Sequence, residues 1–97
     1  MATYVIVCNL TDQGARTMGD LASRLNNARA TFNAHGADLQ QIFLAMGTYD
    51  YVVIASAPDD ETIARVSLAV SGQGNVRTSS FRVFTEEEAL KLVEGLS

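Results

Sequence analysis

One cysteine, one histidine, one proline and no tryptophan occur in 97 residues, and each scarcity removes a class of function. A lone Cys8 cannot form an intrachain disulfide, so the chain is not a cystine-stapled secreted scaffold and a cytoplasmic location is expected. Cys8 and His35 are too few for a zinc site, and no metal or other cofactor is expected. Basic residues are also thin. Seven Lys and Arg stand against eleven Asp and Glu, a net charge of −4. Scattered from Arg16 to Lys91, they give no basic stripe for nucleic acid or an anionic membrane. The N-terminal apolar run stops at Asn9 without a basic flank, so no secretory signal is expected. No stretch approaches the ~18 apolar residues of a membrane span. There is no P-loop and no Gly-x-Ser-x-Gly elbow, and "SGQGN" lacks the strand-to-helix setting of a dinucleotide fingerprint.

What remains is an ordinary globular composition, 47% hydrophobic and 19% charged, with a core of one domain's size. Tyr4–Leu10 ("YVIVCNL") and Tyr51–Ser56 ("YVVIAS") are β-branched runs that read as central strands. Asp38–Met46 and Val76–Phe84 mix in polar residues and read as edge strands. Between the first two strands, Met18, Leu21, Leu25, Ala28 and Phe32 recur at helical spacing, with Gly36 as the stop. Pro58 and Asp59-Asp60-Glu61 open a second helix with Ile63, Val66 and Val70 inward. Thr85 and Glu88 form a capping box for a short third helix.

The order βαββαβ plus a helix, with right-handed crossovers, predicts an α+β, ferredoxin-like sandwich with antiparallel strand order 4-1-3-2. Both faces of the central strands are apolar: Tyr4, Ile6 and Cys8 oppose Val5 and Val7, while Tyr51, Val53 and Ala55 oppose Val52 and Ile54. The long helices cover one face, and the last helix is too short for the other. A second copy of the chain is therefore expected there, in a two-fold homodimer.

This topology gathers Asn9–Gly14, Met46–Asp50 and Gly72–Thr78 at one end of the sheet, with His35, Pro58 and Thr85 at the other. Gly47 suits a tight hairpin, and Asp50 can accept from neighbouring N–H groups, with Arg77 within reach across the sheet. Two readings stay open. Thr11, Asp50, Asn75 and Arg77 either tie three loops together or line the polar rim of a pocket walled by Tyr4, Tyr49 and Tyr51. Asp50 is the best acid–base candidate for catalysis. His35 reads as a solvated helix-end residue, and Cys8 as a buried small hydrophobe.

At "MGTYD" the chain resembles the GYD-domain family of small bacterial proteins, through Gly47, Tyr49 and Asp50. "LTDQGAR", "APDDET", "GNVRT" and "FTEEE" extend the likeness over nearly the whole length, as a single domain over residues 1–97. The resemblance implies a place in the ferredoxin-like, dimeric α/β-barrel group and carries no established activity. Two functions follow as alternatives: a dimeric module binding a small metabolite in the sheet–helix cleft or at the dimer interface, or a cofactor-independent oxygenase or isomerase.

Overall fold

The computed structural model describes residues 1–96, so Ser97 of the expected 1–97 domain lies outside the described residues. Strands β1 (Ala2–Leu10), β2 (Asp38–Leu44), β3 (Tyr51–Ala57) and β4 (Val76–Val83) form one antiparallel sheet. Their order is β2-β3-β1-β4, the expected 4-1-3-2 read from the other edge. In register, Cys8 faces Tyr51 on one side and Thr78 on the other, and Ile6 faces Val53 and Ser80. Directly opposed residues share a face. Tyr4, Ile6, Cys8, Tyr51, Val53 and Ala55 therefore form one buried layer.

Helices α2 (Leu21–Ala34) and α3 (Asp60–Ser71) cover that layer, with Phe32, Ile63 and Val66 buried against it. Asp59 starts α3 by accepting from the Thr62 backbone N–H at 2.8 Å and hydroxyl at 2.7 Å. These bonds hold its carboxyl below the usual carboxylate range. The helical stripe beginning at Met18 is only partly one helix. A five-residue helix α1 (Asp12–Arg16) and a 3₁₀ turn at Met18–Asp20 precede α2. Thr11 caps α1 by accepting from the Gly14 N–H. The interior glycine hides that helix from propensity arguments.

The opposite face carries Val5, Val7, Val52 and Ile54 at its centre, flanked by Phe43 (51% exposed) and Phe81 (49%). Helix α4 (Glu86–Leu92) does not cover it. The Thr85–Glu88 box closes as expected. Glu88 also meets Arg82 at 3.6 Å. Beyond this, α4 packs extensively against no other element, and Leu90 and Leu96 stand 64% and 73% exposed. The radius of gyration is accordingly 14.7 Å, where about 12.5 Å is usual for this length.

Cys8 sits in the buried layer, and burial pushes its thiol up to about 11. Each unit of pKa removes a factor of ten in thiolate at neutral pH, and the thiolate is the nucleophile. Ellman's reagent at pH 8 should therefore modify the native chain on the order of a hundredfold more slowly than the urea-unfolded chain. Equal rates would show that Cys8 is open to solvent.

Candidate functional site

The three polar segments meet at one end of the sheet through backbone groups that the strands leave free. The Asp50 N–H donates to the Cys8 carbonyl at 2.8 Å, and the Leu10 N–H donates to the Asp50 carboxylate at 2.7 Å. Asp50 thus continues the β1–β3 ladder beyond its last residue pair. Asn9 donates to the Thr48 carbonyl at 2.7 Å. Gly47, at φ +107°, takes the left-handed backbone that this hairpin needs. On the other side of β1, the Thr11 N–H donates to the Asn75 carbonyl at 3.0 Å and its hydroxyl to the Gly74 carbonyl at 2.6 Å.

Removing the Asp50 carboxylate strands the partly buried Leu10 N–H. Asp50→Ala should lower stability by about 1–3 kcal/mol in thermal or urea unfolding. An unchanged midpoint would mean that Leu10 finds another acceptor.

Beside this junction, between the sheet, α2 and α3, lies an apolar cavity of about 80 Å³, several times what one water requires. Ile6, Phe32, Val53 and Val66 line its depth, while Arg24, Tyr51, Gln73 and Asn75 supply polar groups. The Arg24 guanidinium donates to the Gly14 carbonyl at 3.1 Å and the Thr17 carbonyl at 3.0 Å. The Tyr51 hydroxyl meets the Met18 sulfur at 3.5 Å. Burial raises the Tyr51 phenol above its usual range, although the nearby Arg24 charge pulls it down.

The candidate residues divide accordingly. Tyr51 and Asn75 line the cavity. Thr11 and Asp50 tie loops and are not among its lining residues, and Tyr49 stands exposed at the hairpin tip. Arg77 does not reach Asp50. Its register partner is Asn9, and the ion pairs among the described residues join Arg65 to Glu61, Arg82 to Glu88 and Lys91 to Glu87. Tyr4 lies toward the other end of β1, where its hydroxyl donates to Asp60. That bond and burial raise its phenol above the usual range. Tyr4 instead lines an open groove between α3 and β4. Sequence reasoning missed Arg24, although a signal existed: it lies within the apolar stripe, three residues after Leu21 and four before Ala28.

Four antiparallel strands in this order, with two helices on one face, define a ferredoxin-like α+β fold. The chain belongs to the GYD domain family, whose model matches residues 4–93. Among characterised proteins it is similar to the glutamine synthetase and cystathionine beta-lyase binding protein of Thermus thermophilus. The two are 29% identical over 79 residues, which is 80% of this chain and 83% of that one. Among solved structures it is similar to MtbAldR, with TM-score 0.69, 15% identity, and coverage of 88% of this chain and 54% of that one. A feast or famine regulatory protein from M. tuberculosis, complexed with L-methionine, matches at TM-score 0.66 and 14% identity over 88% and 51%. The chain spans about half the length of these solved chains, and the likeness is one of fold.

Proposed function

We propose that the chain is a homodimeric binding module that takes a small metabolite in the cavity between its sheet and α2 and α3. The observation that carries this reading is the cavity itself. It is lined mainly by apolar side chains, with a few polar groups among them, the usual make-up of a ligand site. Asp50, on which a catalytic reading rests, is engaged by Leu10 and is not among the cavity's lining residues.

The second copy belongs on the outer sheet face. Four strands about 4.8 Å apart and seven residues of about 3.3 Å give a plan area on the order of 450 Å². A standard interface buries roughly 800 Å² per partner. The segment of α4 and the residues after it, with Leu90, Val93 and Leu96 exposed, supplies the remainder when it lies against the partner. The Thermus thermophilus relative is described as binding two enzymes, which favours a further role in docking on an enzyme in the cytoplasm.

Native mass spectrometry of the untagged protein, followed by denaturing release, tests this reading. The expected species is a dimer at twice 10.4 kDa that releases a defined small-molecule mass. An empty dimer would overturn the ligand half, and a monomer the dimer half.

A further inference from the structure

Arg24 is a cation without a counterion at the edge of an apolar cavity. No carboxylate among the described residues pairs with it, including Asp20 one turn earlier. Its Nε is buried and has no hydrogen-bond partner. Buried polar atoms are satisfied in the great majority of cases, so an orphan needs an explanation. The guanidinium is half-buried, and its recorded partners are neutral: the Gly14 and Thr17 carbonyls and the Met18 sulfur.

A second donor faces the same spot. The Arg24 Nη2 and the Tyr51 hydroxyl both converge on the Met18 sulfur, at 3.2 Å and 3.5 Å. A thioether is a weak acceptor, so the Tyr51 hydroxyl is poorly matched, whereas the Arg24 Nη2 also has the Gly14 and Thr17 carbonyls. Met18 stands in the 3₁₀ turn between α1 and α2, on an unbranched side chain with several rotatable bonds that can turn aside. An anionic oxygen in place of the sulfur would accept from the Tyr51 hydroxyl, and a second oxygen would meet the free Nε, while the two Nη2 hydrogens stay with the Gly14 and Thr17 carbonyls. A hydrogen bond from a guanidinium to a carboxylate is charge-assisted and stronger than a neutral one.

Beyond these donors, Ser67, Gln73, Asn75 and Thr78 also line the cavity, and the rest of its lining is apolar, with Leu25, Phe32, Ile42, Val53 and Val66. The carboxylate whose charge is felt at Tyr51 is Asp50. It is turned to the Leu10 N–H and is not among the lining residues. We propose that Arg24 and Tyr51 form a carboxylate grip, and that the ligand is a small acid with an apolar tail lying between α2, α3 and the sheet. This rests on the cavity being the binding site.

The test is a titration of the full chain at pH 7, followed by amide and arginine-side-chain NMR and by calorimetry. The probes are unbranched and branched aliphatic acids of three to eight carbons and phenylacetate, each beside its neutral amide. At least one acid should shift the Arg24 Nε–H signal and the lining residues, and should bind at least tenfold more tightly than its amide. Tyr51→Phe should weaken that acid about tenfold while leaving amide binding unchanged, as expected for losing one charge-assisted hydrogen bond. Arg24→Lys, which keeps the charge but loses the fork, should weaken it further. Amides that bind the cavity as tightly as acids would overturn the carboxylate grip and leave the pocket reading standing. No shifts in the cavity with any acid or amide would overturn both.

Discussion

Ile54→Lys should turn the proposed dimer into a folded monomer. Ile54 lies on the outer face, between Gln41 of β2 and Val5 of β1 in register, and contributes nothing to the layer under the helices. A two-fold interface repeats every substitution, so one lysine per chain places two ammonium groups in the contact. Each loses solvation without a partner, at a cost of several kcal/mol. Association should weaken by at least about a thousandfold, since every 1.4 kcal/mol is a factor of ten. Sedimentation velocity at micromolar concentration should show a single 10.4 kDa species with an unchanged far-ultraviolet spectrum. A variant that stays dimeric would place the contact elsewhere than the sheet face.

Gly14→Ala should be among the most damaging single-methyl changes available to this chain. A Cβ built on Gly14 would lie 2.1 Å from the Asn75 carbonyl oxygen and 3.1 Å from a Leu10 methyl. The obstructing oxygen belongs to backbone, and it is the acceptor for the Thr11 N–H. Relief therefore requires α1 to move away from the start of β4, which breaks the bonds of Thr11 to Asn75 and Gly74. Overpacking of this kind costs about 3 kcal/mol, and a domain of this size loses roughly 4–8 °C in Tm per kcal/mol. Differential scanning calorimetry should show a fall of about 12–24 °C. Ala15→Gly, which adds no atoms, serves as the control for helix propensity alone. A Gly14→Ala midpoint close to wild type would show that the junction has slack.

These sites also mark where sequence reasoning held and where it stopped. β1 and β3 were legible because β-branched runs apolar on both faces suit the centre of a sheet, and the Thr85 cap because its partner stands at the required spacing. Given the strand order, chain direction alone put Leu10, Asp50 and Asn75 at one end. Tyr4, expected as a wall of the same pocket, instead lines the groove between α3 and β4. A strand rises about 3.3 Å per residue, so Tyr4 lies some 20 Å from Leu10 and belongs to another surface. Arg77 pairs in register with Asn9 while Asp50 turns toward Leu10, an arrangement set by one free N–H that composition cannot reveal. Helix α1 escaped because Gly14 reads as a breaker, whereas its role is to let two backbones touch. Arg24 was written into the apolar stripe, but only the cavity shows that its charge has no partner.

The bonds of Thr11 to Gly74 and Asn75 span more than sixty residues, and this imposes an order in time. On a ribosome, β1 emerges first, yet both of its neighbours in the sheet, β3 and β4, are made later. Its ladders must wait for them. The junction beside the cavity cannot close until Asn75 has left the exit tunnel, more than sixty residues after Thr11 has done so. The pocket is thus completed long after β1 has emerged. Until then the nascent chain carries β1 as an unpaired apolar strand, the period in which this protein is most exposed to aggregation and most dependent on chaperones.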